Sequence, residues 1–212
     1  MISISVCIPT TGLSRAEHTL SLVNLGLYFM QHPLSPGQEQ TIIFRHYQSS
    51  SISNGRESLV MNSLADGASH VLFIDEDIAF DMDVLHGLFA RNLPFVACNY
   101  RIRFEGCGFA AMTPDLTGRI ATTADSPDLE PCGATGLGMA LIAREVFDAL
   151  PHPWFPQPWC ADSMTYTTED LPFYVAAAEA GFTPMIDHAA SRKLQHIGSY
   201  RYRWNDPHDP PV

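Results

Sequence analysis

The chain reads as short apolar runs, each closed by a turn and followed by apolar residues at helical spacing. Ile2 to Ile8 alternates and then fills with Val and Ile, which predicts a buried first strand. It ends in Pro9-Thr10-Thr11-Gly12, a loop of turn formers and hydroxyls. From Arg15 to Gln31, Leu20, Val23, Leu27 and Met30 recur at helical spacing until Pro33, Pro36 and Gly37 break the pattern. Thr41 to Phe44 is a second short strand, completing a β-α-β unit whose first strand-to-helix loop is a common nucleotide site. Ser49 to Ser53 reads as a mobile polar loop. Asn54 reads as the cap of a helix running through Arg56, Leu59, Val60, Ser63 and Leu64 to Gly67.

The stretch that organises the rest is His70 to Asp83. Val71, Leu72, Phe73 and Ile74 form the unbroken run of a central strand buried on both faces, and the run stops at Asp75-Glu76-Asp77. Carboxylates at the carboxyl end of a buried parallel strand sit where open α/β sheets bind ligands. Like charges this close repel unless a cation neutralises them, so a divalent metal with a phosphorylated ligand is the natural partner. Asp75 and Asp77 point the same way in extended backbone. A strand cap opening a solvated turn accounts for the same three acids without any ligand.

Met82 to Arg91 predicts a short amphipathic helix. Pro94 to Cys98 predicts another buried strand, and its exit, Asn99-Tyr100-Arg101, is either a ligand contact or a plain turn. Residues 102–132 suggest a small antiparallel excursion. Gly133-Ala134-Thr135-Gly136-Leu137-Gly138 then leads into a strand, Met139 to Ala143, and a helix, Arg144 to Leu150. Its glycines allow either close approach to a ligand or a tight corner. Because the glycines enter a strand, this is not a dinucleotide fingerprint. Pro151 to Cys160, with Trp154, Phe155 and Trp159, is a stiff aromatic loop that covers the core or lines a cleft. Thr167-Thr168-Glu169-Asp170 opens a helix to Gly181, and a Thr cap with acids in the first turn explains both carboxylates as well as catalysis does. Thr183 to Ile186 is a strand, His188 after it reads as structural, and Ser191 to His196 leads into Gly198. Arg56, in a first helical turn where the dipole disfavours a cation, is either solvated or reaches over the first loop toward a base or phosphate.

The chain has 212 residues, 46% hydrophobic and 17% charged, which suits one domain over 1–198 with a tail or lid over 199–212. The formal net charge of −11 opposes non-specific nucleic-acid binding, leaving only a local basic patch to serve such a partner. Arg192, Lys193, Arg201 and Arg203, interleaved with Tyr200, Tyr202 and Trp204, form one. Cys7, Cys98, Cys107, Cys132 and Cys160 make no C-x-x-C pair, so a zinc site is not expected and a reducing cytoplasm is. Neither a signal peptide nor a membrane span is expected.

In their order along the chain, these features resemble the GT-A fold core of glycosyltransferase family 2. The likeness rests on Ile8-Pro9-Thr10-Thr11, the Asp-x-Asp at Asp75-Glu76-Asp77, the glycine loop Gly133 to Gly138, Thr168-Glu169-Asp170, and His196 in Gln-His-Ile-Gly. The resemblance implies an α/β fold with a mixed, mostly parallel central sheet flanked by helices. It also implies transfer of a sugar from a nucleoside diphosphate sugar, UDP-linked by preference, to an acceptor hydroxyl, with Mn²⁺ or Mg²⁺ as cofactor. Asp77 and His196 would ligate the metal, with Asp75 on the ribose or a metal-bound water. Asp170 would be the base and Glu169 its support. Pro9, Thr10, Thr11, Arg56, Asp75, Glu76, Asp77, Asn99, Gly133, Ala134, Gly136 and Arg201 would bind the donor. Thr41 to His46 lacks the acid that many members place on the second strand. The compact core is similar to bacteriophage enzymes that glycosylate hydroxymethylated pyrimidines in DNA, which implies such DNA, or a glycan, as acceptor. A metal-dependent nucleotidyltransferase and a non-catalytic sugar-nucleotide or glycan-binding module are the competing readings.

Overall fold

The run Val71–Ile74 lies in the middle of the molecule and is fully buried. In this computed structural model, which describes residues 1–103, 108–198 and 201–205, it forms β3 (His70–Ile74) between β1 (Ile2–Thr10) and an antiparallel β7 (Met139–Ala143). Alternation along the strand divides its side chains between two cores: Val71 and Phe73 face one, Leu72 and Ile74 the other.

In chain order, β1 is followed by α1 (Ala16–Gln31), β2 (Gln40–Gln48) and α2 (Ile52–Ala65). After β3 come β4 (Ile78–Phe80), α3 (Val84–Ala90), β5 (Phe95–Ala97), β6 (Leu129–Pro131), β7 and α4 (Arg144–Ala149). The chain continues through β8 (Trp159–Cys160), β9 (Thr165–Tyr166), α5 (Asp170–Glu179), β10 (Met185–Asp187), α6 (His188–Ser191), β11 (Leu194–Ile197) and β12 (Arg201–Tyr202). The central sheet has seven strands in the order β2-β1-β3-β7-β5-β10-β6. Only β7 and β6 run against the common direction. A second sheet, β12-β11-β4, and the hairpin β8-β9 lie outside it. No described helix is long and apolar enough to cross a membrane.

Several expectations need correction. The apolar stripe of α1 faces outward: Leu20, Val23, Leu27 and Met30 are exposed, and the helix buries His18, Ser21, Leu25 and Phe29. His18 and Ser21 are admitted because the adjoining β4 strand takes their hydrogen bonds. His18 Nδ1 donates to Ile78 O at 2.9 Å, and Phe80 N donates to Ser21 Oγ at 3.0 Å. β2 runs on to Gln48, paired with β1 along its whole length. The cap of α2 is Ser51, whose Oγ accepts from Asn54 N at 3.3 Å, so Ile52 and Ser53 are already helical. Glu169 caps α5 without a side-chain hydrogen bond, so no threonine serves there. Of the excursion over 102–132, the described part is held by bridges such as Met112 to Arg119 and to Ala134, with β6 at its end. In the aromatic loop, Trp154 and Phe155 pack into the core and Trp159 stays exposed.

The glycine loop is shaped by the protein itself. A Cβ on Gly133 would meet Thr113 O at 2.5 Å, and one on Gly138 would meet Tyr100 Cζ at 2.8 Å. At Gly136 a Cβ would stand inside contact distance of the Tyr100 hydroxyl, which accepts from Gly138 N at 3.2 Å. Gly136→Ala is therefore expected to cost about 1–3 kcal/mol in urea denaturation. Adding Tyr100→Phe should recover part of the loss.

Candidate active site

The loop after β1 and the acids after β3 lie side by side because β1 and β3 are parallel neighbours, so their carboxyl ends open on the same edge. Between them and the start of α2 lies a cleft of about 630 Å³, whose walls include Pro9, Thr10, Thr11, Asp75, Glu76 and Asp77. Tyr47 and Ser49–Ser51 close it on the β2 side, and Arg103 closes it opposite.

Each acid has a different partner. Glu76 holds the first loop: both threonine hydroxyls donate to it, Thr11 Oγ1 at 2.6 Å, and Thr11 N adds a bond at 3.1 Å. Burial works to raise the Glu76 carboxyl, but these donors outweigh it and leave the group below its ordinary range. Asp75 turns toward Arg56, with Oδ1 2.7 Å from Nη2. Arg56 is 2% exposed, and its other guanidinium nitrogen bonds Glu169 Oε1. The solvated reading of Arg56 is thus excluded, and its guanidinium is committed to two carboxylates. It ties the end of β3 to the start of α5. Burial pushes Glu169 above the usual carboxylate range, with Asp170 adding to the rise and Arg56 opposing it. Next in the chain, Asp170 is the first residue of α5, and its Oδ1 accepts from Leu171 N at 2.8 Å. Its Oδ2 faces the glycine loop, 3.7 Å from where a Gly136 Cβ would stand.

Removing the buried Arg56 charge leaves Asp75 and Glu169 facing each other without a counter-ion. Arg56→Met should therefore cost about 3–5 kcal/mol in urea denaturation. The double variant Arg56→Met/Glu169→Met should regain much of it, because no buried carboxylate is then stranded on the α5 side.

Asp77 meets His196 because β4 and β11 pair antiparallel, His196 opposite Ile78, with Ile197 N donating to Asp77 O at 2.7 Å. His196 Nδ1 lies 2.8 Å from Arg101 O. A carbonyl only accepts, so Nδ1 donates to it and Nε2 is left for another partner. Nε2 lies 3.4 Å from Asp77 Oδ2, a pair that is ionic when the ring carries a second proton and that can close on a shared cation when it does not. Arg103 Nη1 bonds the same carboxylate oxygen. Burial alone would raise the Asp77 carboxyl; the His196 contact and the charges of His196 and Arg103 bring it below its ordinary value.

Among the described residues, no group of three or more His, Cys, Asp and Glu side chains is placed to hold a metal ion. The two-donor set of Asp77 and His196 nonetheless fits a divalent cation completed by phosphate oxygens and water. An imidazole held through its other nitrogen by a backbone carbonyl is the usual state of a metal-ligating histidine. Asp75 fits the role less well, since Arg56 already neutralises it.

The remaining expected residues divide. Asn99 is turned inward: its amide donates to Ile120 O at 2.8 Å and accepts from Ala111 N at 3.0 Å, so its side chain is engaged by the fold. Gly133 and Gly136 meet protein neighbours, and Ala134 is buried with its carbonyl on Met112 N. These three shape the tight corner behind the cleft. The Arg201 side chain lies outside the described residues, though its backbone pairs with Ile197. Tyr200, the interleaved ring before it, and residues 206–212 of the tail also lie outside them. Arg192 and Lys193 are engaged on the body, by Thr123 O at 3.1 Å and Asp83 at 2.6 Å. His188 is structural as expected, fully buried between Thr122 and Glu130. Tyr47 and Arg103 are additions to the site. Tyr47 was legible as the last aromatic of the β-prone run from Thr41; Arg103 had no sequence signal.

No protein-family model matches the chain, and no curated protein matches it. Among solved structures it is similar over its whole length to protein A197 from STIV, with a TM-score of 0.58 at 17% identity, covering 98% of that chain. It is also similar to GalNAc-T7, crystallised with UDP, GalNAc and Mn²⁺, with a TM-score of 0.51 at 11% identity. That match covers 95% of this chain and 44% of the other. The likeness is one of fold: a GT-A-like mixed α/β architecture.

Proposed function

We propose that the protein is a metal-dependent glycosyltransferase that moves a sugar from a nucleoside diphosphate donor, UDP-linked by preference, to an acceptor hydroxyl. The observation that carries this reading is the pair Asp77 Oδ2 and His196 Nε2, 3.4 Å apart, with Asp77 on the cleft wall. Arg56 links the neighbouring Asp75 to Glu169, the residue before Asp170. Donor-side and acceptor-side carboxylates are thus held in one rigid frame. GalNAc-T7, of like fold, binds UDP and Mn²⁺ in its crystal structure, in keeping with this assignment.

Asp77 and His196 would hold Mn²⁺ or Mg²⁺, which when bound neutralises charge on the departing diphosphate. Thr10 and Thr11, fixed by Glu76, present the loop backbone to the nucleotide, and Tyr47 offers an aromatic wall for its base. Arg103 is placed to move from Asp77 to the phosphates. Asp170 takes the proton of the acceptor hydroxyl as its oxygen bonds the anomeric carbon and the bond to the diphosphate oxygen breaks. A direct displacement of this kind inverts the anomeric centre. Glu169, held by Arg56, positions the start of α5 and hence Asp170. The segment at β12 would close over the cleft once the donor is bound.

The acceptor we favour is a glycan hydroxyl. Of the four cations in the patch that would meet DNA, Arg192 and Lys193 are already engaged, and the chain carries a formal net charge of −11. The test is to incubate the protein with Mn²⁺ and a panel of nucleotide sugars, with glycan and hydroxymethylated-DNA acceptors, and to identify the products. Nucleoside diphosphate together with a glycosylated acceptor supports the proposal. Release of pyrophosphate would identify a nucleotidyltransferase, and donor binding without turnover a binding module.

A further inference from the structure

The outward face of α1 carries Leu20, Val23, Leu27 and Met30, which are 61%, 54%, 48% and 73% exposed. Their spacing of three, four and three residues is the a/d pattern of two heptads. The opposite face, with His18, Ser21, Leu25 and Phe29, is spent on the core. Among the described residues nothing covers the outward apolar stripe. The positions flanking the stripe, Thr19, Asn24, Gly26 and Gln31, are uncharged, and the helix carries a single acid, Glu17, in its first turn. The half-exposed ring of Phe44 on β2 stands 3.6 Å from where a Gly26 Cβ would be, and widens the patch beside Leu27.

We propose that this face pairs with the same face of a second copy, α1 against α1 in antiparallel sense about a two-fold axis. Antiparallel pairing sets a positions opposite d positions, so Leu20 meets Met30 of the other copy and Val23 meets Leu27. A large side chain then faces a large one at the ends, and a small one faces Leu at the centre. Such a contact is isologous and closes on itself. A charged partner would leave its charges without counterparts on this neutral stripe, whereas an identical stripe matches it. A helix of this length with Phe44 beside it reaches the lower end of specific interfaces, on the order of 1,000 Å² in total. The association should therefore be reversible and micromolar, and because both copies carry a formal net charge of −11, salt should strengthen it.

Sedimentation equilibrium of the full chain, from micromolar to several hundred micromolar, tests this. A concentration-dependent dimer, tighter at high salt and weakened by about 100-fold in Leu27→Glu, is expected. Leu27 is half exposed, so the variant should keep the wild-type circular dichroism spectrum. The uncharged Leu20→Asn/Leu27→Asn provides a second monomeric form should Leu27→Glu fail to fold. A wild type that is monomeric throughout, or a dimer that survives both changes, overturns the proposal. So does a monomer whose α1 face instead binds vesicles of anionic phospholipid.

Discussion

Asp170→Asn is expected to lower the rate of sugar transfer by about 10²–10⁴-fold while leaving nucleotide binding unchanged. The substitution keeps an oxygen for Leu171 N, which donates to Oδ1 at 2.8 Å, and removes only the basic carboxylate oxygen facing the glycine loop. Helix geometry and stability should therefore survive, and the loss should fall on kcat, with the affinity for donor measured by calorimetry staying at the wild-type value. Unaltered turnover would remove Asp170 from the chemistry and return it to the capping role that its position at the head of α5 also explains.

Asp77→Ala is expected to abolish the dependence of nucleotide binding on Mn²⁺, a loss of more than about 100-fold in the affinity for UDP with metal. The position can bear the change. Its structural contact is made by backbone, Ile197 N on Asp77 O, and that contact remains when the side chain goes. Truncation leaves His196 Nε2 and the Arg103 guanidinium without their shared carboxylate, so the residual site repels a cation. His196→Ala should act in the same direction with a smaller effect, since Asp77 still offers a carboxylate. Calorimetric titration of Mn²⁺ in the presence of UDP distinguishes these outcomes. Equal affinity in wild type and Asp77→Ala would show that the acids at the end of β3 serve the fold alone.

How much of this was legible in the sequence depends on whether the determining contact is local. Val71–Ile74 announced a strand buried on both sides because nothing polar interrupts it, and the acids that follow could then be placed at a ligand-binding sheet edge. The meeting of Asp77 and His196 rests on pairing between β4 and β11, and was reachable only through the resemblance to a known family. Periodicity in α1 identified which residues share a face but not which face is inside. Two polar residues, His18 and Ser21, take buried places because β4 satisfies them, and the apolar stripe is left outward. Arg56 was ambiguous because its partner Glu169 is 113 residues distant, and the sequence alone gives an arginine near a helix start no local reason to be buried. The glycines left a ligand approach and a tight corner both open because the side chain that Gly136 and Gly138 meet, Tyr100, comes from another strand exit.

The central claim is a donor site that needs a metal, and the most direct test is the thermal stability of the wild-type protein with UDP, with Mn²⁺, and with both. The account predicts a clear rise in the midpoint only when UDP and Mn²⁺ are present together, following the mass-action stabilisation of a site occupied only in the folded state. An unchanged midpoint with both present, repeated with the other nucleoside diphosphates, would contradict it.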